Sequence, residues 1–190
     1  MGKKALLLLS GGIDSPVSGY LMQKLGLEII ALHFSNEPFT DNGPEIKSKK
    51  LFEHLHFKKF IVMNISDILG NVAKKCKREY YFIIMKRIML RKACEVAKDE
   101  GCDFIITGDN LAQVSSQTLE NMKVISSASN IEILRPLLTY DKKEIIKIAM
   151  TIGTYDISNG PEVCDVLGPR SPATRSKLEK IEKEESRLEF

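Results

Sequence analysis

Short apolar runs alternate along the chain with longer segments in which apolar residues recur at helical spacing. The runs occupy residues 4–9, 27–34, 59–65, 103–107 and 131–134, and each has the length of a buried strand. The segments between them have the spacing of helices that bury one face. Strands that alternate with helices predict a doubly wound α/β fold, in which a parallel sheet of about five strands is covered by helices on both faces.

The first run leads directly into the sequence SGGIDSP at residues 10–16. Its two glycines permit a tight turn and the close approach of a ligand to the backbone. Asp14 and Ser15 are good N-cap residues and Pro16 suits a first helical turn, so we predict a helix over residues 17–25. The N–H groups of this loop and the positive end of the helix would bind a phosphate group. An ordinary strand-to-helix turn is the alternative, and the Gly-Lys-Ser/Thr ending of a Walker A loop is missing.

Further candidate residues stand at the carboxyl ends of predicted strands. His33 and Phe34 end the second strand, and Gly108 follows the fourth. Ligands of parallel sheets bind at this edge, so His33 is a candidate wall of a nucleotide pocket. A histidine that merely closes the strand is an equal alternative. Gly108 would let a nucleotide approach the backbone.

The composition is that of a soluble globular protein, with 43% hydrophobic residues, 28% charged residues and a net charge of +3. We predict one domain over residues 1–175 and a charged helical tail over residues 176–190, which would pack on the domain or on a second copy of the chain. The sequence contains no apolar run with the length of a membrane span or of a signal-peptide core. Asp141 and Glu144 have the spacing of a capping box, which predicts a helix start.

The four cysteines have no CxxC spacing, which suits a reducing cytoplasm and argues against a zinc or iron–sulfur site. Cys94 and Cys102 lie in or near a predicted packed helix and are expected to be inert core thiols. Cys164 lies instead in a loop over residues 158–172 that is rich in Gly and Pro. Its surroundings single it out as the cysteine with a chemical role.

The most basic part of the chain is residues 74–92, where Glu79 is the only acid. Two clusters of cations flank the aromatic residues Tyr80, Tyr81 and Phe82. Such a pattern is typical of a surface that contacts phosphates and stacks bases. A solvated helix face beside a buried aromatic turn explains it equally well. The cations are Lys74, Lys75, Lys77, Arg78, Lys86, Arg87, Arg91 and Lys92.

The loop SGGxDS resembles that of the PP-loop ATP pyrophosphatases, which have an adenine nucleotide alpha hydrolase-like fold and cleave ATP between its α and β phosphates. Further blocks resemble, in order, the ATPase domain of the ThiI family, the tRNA sulfurtransferases of 4-thiouridine synthesis that are also linked to thiamine biosynthesis. The likeness covers about residues 4–175. The blocks are SGGIDSPVSGYLM, ALHF, MKRIMLR, TGDNLAQVSSQTLENM, ILRPLLTYDKKEIIKIA and IGTYDIS.

The resemblance implies an enzyme that uses ATP and Mg²⁺ to adenylate a uridine carbonyl oxygen, after which a cysteine persulfide delivers sulfur and displaces AMP. It assigns Asp14 as the essential acid beside the phosphates, acting through Mg²⁺, and Cys164 as the sulfur-handling cysteine. No residue is assigned as a direct metal ligand. The implied nucleotide contacts are Leu8, Leu9, Ser10, Gly11, Gly12, Ser15, His33, Phe34, Lys86, Gly108 and Gln117.

The implied partners are tRNA, a persulfide donor such as a cysteine desulfurase, and a second copy of the chain in a homodimer. ThiI proteins bind tRNA through a ferredoxin-like region and a THUMP domain, and some carry a rhodanese domain, none of which is expected in this sequence. We therefore expect tRNA to be bound by the basic segment or through a separate docking subunit. The block TGDNLAQ also has Asp-Asn where the family usually has Glu-Ser.

Two other functions remain open at this stage. One is a PP-loop ATPase that activates a small molecule or another acceptor in a sulfur-transfer pathway. The other is a nucleotide-binding regulatory module without turnover, against which the intact Asp14 and Cys164 argue.

Overall fold

A computed structural model describes residues 2–111, 114–159 and 167–188. Within these ranges the strands are β1 (Lys4–Leu8), β2 (Glu28–Ser35), β3 (Lys59–Asn64), β4 (Phe104–Ile106) and β5 (Glu132–Leu134). All neighbours pair in parallel, in the order β3-β2-β1-β4-β5. The predicted doubly wound sheet is confirmed, with β1 at its centre.

The strand order reverses beside β1, because the chain winds outwards through β2 and β3 and then returns to the other side of β1. In such sheets the crevice at this reversal is where ligands bind. Leu6 of β1 lies in register with Ile30 of β2 and Ile105 of β4, and all three side chains are buried. The sequence from Ser10 onwards therefore leaves the sheet at its ligand-binding edge.

Helices cover both faces of the sheet. Leu6 and Ile30 belong to the apolar cluster formed with α4, whereas Leu7 and Ile29 pack on the opposite face, in a cluster with residues of α2. Alternate side chains of one strand thus pack into two different hydrophobic cores, one on each face of the sheet. The helices are α1 (Asp14–Lys24), α2 (Gly43–His54), α3 (Ser66–Lys75), α4 (Tyr81–Asp99), α5 (Leu119–Ser126), α6 (Lys142–Thr151), α7 (Tyr155–Ser158) and α8 (Leu178–Glu185), with short 3-10 turns at Arg78–Tyr80 and Ser115–Gln117.

The start of α1 differs from the prediction. Asp14 and Ser15 do not cap the helix, because Ile13 already has helical dihedral angles and is itself the N-cap residue. The hydroxyl of Ser15 instead accepts a hydrogen bond from the N–H of Ser10, at 3.1 Å. Pro16 still falls within the first turn, where its missing N–H breaks no helical hydrogen bond. No side chain caps α1.

The start of α6 agrees with the prediction. The carboxylate of Asp141 accepts a hydrogen bond from the N–H of Lys143, and the carboxylate of Glu144 accepts one from the N–H of Asp141, both at 2.8 Å. This is a complete capping box. It fixes Lys142 as the first residue of the helix.

The tail packs on the domain through α8. Ile181 is fully buried in the cluster formed with α4, and Glu185 forms ion pairs with Arg87 and Arg91 of α4. Packing of the tail on the domain was one of the two predicted alternatives.

Candidate active site

A cavity of about 290 Å³ opens at the carboxyl ends of β1 and β2. Its walls are mainly apolar, and polar side chains stand among them. A small, largely apolar cavity with a few polar groups is typical of a site for a flat organic ring. The lining residues are Leu8, Leu9, Ser10, Leu32, His33, Phe34, Ser35, Asn36, Thr40, Asp41, Pro44, Glu45, Ile65, Leu69, Met85 and Met89.

His33 is a buried polar member of this wall, with 3% of its surface exposed. Its Nδ1 lies 2.9 Å from the carbonyl oxygen of Leu9 and 3.0 Å from the hydroxyl of Ser48. A carbonyl oxygen only accepts, so Nδ1 carries the hydrogen. Burial lowers the pKa of His33, and this outweighs the hydrogen bond to Leu9 and the charge of Glu45, which raise it. The ring is therefore neutral, with an acceptor lone pair on Nε2.

The loop after β1 requires glycine at one of its two glycine positions. Gly11 has a φ of +76°, and a Cβ there would lie 2.9 Å from the carbonyl oxygen of Pro44, so only glycine is tolerated. Gly12 is less crowded, since the nearest atom to a Cβ would be the Ser10 hydroxyl at 3.6 Å. The first-turn N–H groups of α1 carry no side-chain cap, and such a helix end is a ready anion-binding site.

Asp14 and Lys142 form an ion pair at this loop, with 2.6 Å between Oδ1 and Nζ. Asp14 is the first residue of α1 and Lys142 the first residue of α6, so the pair joins two helix starts. The buried amide of Asn110 holds the preceding segment by donating to the carbonyl oxygens of Leu137 and Tyr140, at 2.7 and 2.6 Å. The sequence singled out Asp14 but gave no sign of Lys142 as its partner.

Asp109 organises a second group of charges at the end of β4. It lies 2.9 Å from Lys86 and 3.3 Å from Arg135, and it accepts a hydrogen bond of 2.8 Å from the hydroxyl of Thr107. Burial alone would raise the pKa of Asp109, but Lys86, Thr107 and Arg135 together lower it to about 2. The carboxylate is therefore ionised at neutral pH. Two cations share one anion, which leaves a net positive charge at this edge.

Gly108 brings the charge cluster around Asp109 close to the start of α1. A Cβ on it would lie 2.9 Å from the backbone nitrogen of Ser15 and 3.1 Å from its Cα. The missing side chain therefore accommodates the start of α1, and the direct role toward a nucleotide stays a prediction. Gln117 lies in the 3-10 turn before α5, and its buried Oε1 has no hydrogen-bond partner among the residues that are described.

The predicted site residues fall into separate groups. Leu8, Leu9, Ser10, His33 and Phe34 line the cavity. Gly11, Gly12, Asp14 and Ser15 form the adjoining loop and helix start, Lys86 and Gly108 belong to the charged edge of β4, and Gln117 stands in the turn before α5.

Cys164 lies outside the described residues. Before it, the hydroxyl of Ser158 donates to the carbonyl oxygen of Gly12 at 3.3 Å. Ser158, six positions ahead of Cys164, therefore lies at the loop after β1. After it, the N–H of Ala173 donates to the carbonyl oxygen of Glu79 at 2.9 Å.

Sequence reasoning missed several residues of the site. Met85 and Met89 stand four residues apart on α4 and so share one face, which lines the cavity. That spacing was visible in the sequence, although it equally suits an ordinary core. Asp109 and Arg135 gave no such signal, because they stand 26 residues apart and meet only through the pairing of β4 with β5.

The basic segment, residues 74–92, agrees in part with each of its two interpretations, a nucleic-acid surface and a helix face beside a buried aromatic turn. Arg87 is 2% exposed and both of its ion-pair partners belong to α8, while Arg91 also pairs with Glu185. Tyr80 and Tyr81 are buried and Phe82 packs against the same core, so the aromatic turn belongs to the core and does not form a stacking surface. Lys74, Lys75, Lys77 and Arg78 remain exposed.

Comparison with known proteins gives consistent matches. The family model described as thiamine biosynthesis protein (ThiI) matches residues 1–190. A probable tRNA sulfurtransferase of Halothermothrix orenii is 43% identical over 97% of this chain and 48% of its own length. The crystal structure of a 4-thiouridine synthetase–RNA complex with bound ATP is 38% identical, with a TM-score of 0.93 over 97% of this chain and 50% of that one.

A more distant likeness concerns the fold alone. NMN synthetase from Francisella tularensis is 16% identical, with a TM-score of 0.65 over 100% of this chain and 79% of that one. Together these structures confirm the predicted PP-loop ATP pyrophosphatase fold. The chain spans about half the length of the curated relatives it matches. In the described ranges there is no helix with the length and apolar character to cross a membrane.

Proposed function

Because this chain belongs to the ThiI family, we propose that it uses ATP to adenylate a uridine of tRNA and takes part in replacing the activated oxygen by sulfur. The observation that carries the proposal is the position of the loop at residues 10–15. It lies between an apolar cavity, suited to a purine, and the positive edge around Lys86.

ATP would bind with its adenine in the cavity and its phosphates along the loop. The neutral ring of His33 offers an acceptor on Nε2 to a ligand in the cavity, because Nδ1–H is already donated to Leu9. The pyrophosphate would meet the uncapped N–H groups of α1 and the cation of Lys86. These groups neutralise the charge that leaves with pyrophosphate.

Mg²⁺ fits this arrangement through one protein ligand. Asp14 is a carboxylate at the phosphate loop whose only described ion-pair partner, Lys142, is 45% exposed and free to turn aside. Proteins commonly bind Mg²⁺ through one or two carboxylates and the substrate phosphates. The ion would supply charge neutralisation at the phosphates.

The reaction forms one bond and breaks one at the α-phosphorus. The carbonyl oxygen of the uridine attacks, the bond to the β-phosphate breaks and pyrophosphate leaves. Such transfers depend mainly on alignment of the reacting atoms and on electrostatic stabilisation. The outer sulfur of a persulfide, supplied by a donor such as a cysteine desulfurase, then attacks the activated carbon and AMP leaves. A second thiol attacks the inner sulfur of the S–S bond that still joins donor and product, which releases 4-thiouridine and leaves a disulfide between the two thiols.

Cys164 is the candidate for the sulfur step, either as carrier of the persulfide or as the thiol that breaks the remaining S–S bond. It follows Ser158 at the loop by six positions, a length of chain that spans at most about 20 Å. Burial raises the pKa of both Cys76 and Cys102 to about 11, so these thiols stay protonated and are poor nucleophiles at neutral pH. The described cysteines are free thiols, as expected in the cytoplasm, where we place the reaction.

The test is formation of 4-thiouridine in unmodified tRNA, with ATP, Mg²⁺ and a persulfide donor. Cys164→Ser should abolish thiolation and leave AMP formation largely intact, with Cys94→Ser as the matched control. Loss of both activities in Cys164→Ser would contradict a role confined to sulfur. AMP formation that does not respond to tRNA would favour a small-molecule acceptor instead.

A further inference from the structure

A second cavity, which we call the basic groove, lies between α8 and the segment that joins α3 to α4, and has a volume of about 250 Å³. Its position is separate from the nucleotide cavity, and the two share no lining residue. Most of its lining side chains are cationic. The groove is lined by Lys77, Tyr80, Lys180, Lys183, Glu184 and Arg187.

The fold separates the charges of α8, whose sequence LEKIEKEE contains more acids than bases. Glu185 is buried against Arg87 and Arg91, which lower its pKa although burial raises it. Glu184 is 4% exposed, accepts a hydrogen bond from the N–H of Lys77 at 2.9 Å and pairs with Arg187 at 3.0 Å. These two acids are thus neutralised inside the protein, whereas Glu179 and Glu182 stay exposed and do not line the groove.

The lysines of the groove are left without such partners. The side chains of Lys77, Lys180 and Lys183 form no ion pair or hydrogen bond with any residue of the described ranges. Lys180 and Lys183 are one helical turn apart, so they project from the same face of α8. A concave surface lined by several unpaired cations concentrates anions from solution.

We propose that the basic groove binds phosphates of the tRNA backbone, an inference that rests on the proposed function. Cations in a row on one helix face suit successive phosphodiesters better than a single free phosphate. The groove is also near the nucleotide cavity. Tyr80, the last residue of the 3-10 turn before α4, lines the groove, and Met85, in the second turn of α4, lines the cavity. Four residues of helix rise only about 6 Å along its axis.

The experiment measures tRNA affinity of the whole chain across a salt series. Lys180→Glu combined with Lys183→Glu should weaken binding about tenfold at low salt and make the dependence of log K on log salt shallower by about 2, since each phosphate contact contributes about 0.9 to that slope. Lys49→Glu combined with Lys50→Glu is the matched control, with the same change in charge on exposed lysines of α2. It should change affinity less than twofold.

Two further measurements separate the alternatives. ATP affinity and the melting temperature should be unchanged in the groove variant, which shows that α8 still packs. Inorganic phosphate, titrated at constant ionic strength, should compete weakly with tRNA, whereas strong competition would overturn the proposal in favour of a free-phosphate site.

The proposal is also overturned if the two double variants lose affinity equally, if the groove variant binds tRNA normally, or if the wild-type chain does not bind tRNA. A failure of the proposed function gives a different result from a failure of the groove proposal. In that case tRNA binds through the groove but does not stimulate AMP formation.

Discussion

The Nζ of Lys142 lies 2.6 Å from the Oδ1 of Asp14, although the two residues are 128 positions apart. Each is the first residue of its helix, so the ion pair ties the start of α6 to the start of α1 at the phosphate loop. In the proposed reaction Asp14 would bind Mg²⁺ and release Lys142, and we expect the released cation to contribute to neutralising the nearby pyrophosphate.

Replacing Lys142 should therefore affect catalysis more than stability. Both side chains are partly exposed, and such surface pairs contribute about 0–1 kcal/mol to folding. We expect Lys142→Met to lower the rate of AMP formation about tenfold, while the free energy of unfolding changes by less than about 1 kcal/mol. The adjacent exposed Lys143→Met is the control, and an equal rate in both variants would argue against a role for Lys142.

Asp109 should make stability depend on pH in acid. Its pKa lies at about 2 in the folded protein against an ordinary 3.8, so its contribution is fully present above about pH 4 and is lost as the pH falls toward 2. The shift corresponds to about 2 kcal/mol. Urea unfolding between pH 2 and 5 should show this loss in the wild type.

Asp109→Asn should flatten that part of the pH profile. It should also destabilise the protein by about 3–5 kcal/mol at pH 7, because Lys86 and Arg135 then face each other without an anion. Asp103→Asn, at an exposed carboxylate on the opposite edge of the sheet, provides the comparison. An unchanged acid limb in Asp109→Asn would show that the charge cluster does not hold the carboxylate ionised.

His33 should make stability depend on pH closer to neutrality. The folded state lowers its pKa below the ordinary 6.5, so the unfolded state binds the proton more readily and stability falls as the pH drops below about 6.5. His33→Asn retains a side-chain donor toward Leu9 and cannot titrate, so its stability should fall less between pH 6.5 and 5. Parallel curves for the two proteins would contradict a neutral, buried His33.

Two glycine variants should separate packing from ligand binding. Gly108→Ala places a Cβ 2.9 Å from the backbone of Ser15, so we expect a loss of about 1–3 kcal/mol in the free energy of unfolding. Gly12→Ala meets no atom closer than 3.6 Å and should keep its stability within about 0.5 kcal/mol. It should nevertheless bind ATP more weakly, because the new methyl group lies in the phosphate loop.

Calorimetry of unfolding and of ATP binding measures both effects. Equal stability of Gly108→Ala and the wild type would mean that α1 can shift without cost.

Much of the fold could be predicted because it follows from local patterns. Apolar runs gave the five strands, and the capping box at Asp141 gave the start of α6. The N-cap of α1 was predicted wrongly, since the side chain of Ser15 bonds within the loop instead of capping the helix. A capping propensity is an average over many settings, and here a hydrogen bond within the loop, from the N–H of Ser10, occupies the Ser15 hydroxyl.

The ion pairs of the site could not be predicted, because the two residues of each pair come from distant parts of the chain. Lys86 and Asp109 stand 23 residues apart, and Asp14 and Lys142 stand 128 apart. The charge of α8 shows the same limit. Its sequence is acidic, and only the burial of Glu184 and Glu185 leaves as many exposed lysines as exposed acids on this helix.

The most direct test of the proposed adenylation is release of AMP and pyrophosphate from labelled ATP and Mg²⁺, with and without unmodified tRNA, using Asp14→Ala as the blank. We predict release that requires both tRNA and Asp14. Release at the same rate without tRNA, or an Asp14→Ala variant as active as the wild type, would contradict adenylation of tRNA at this loop.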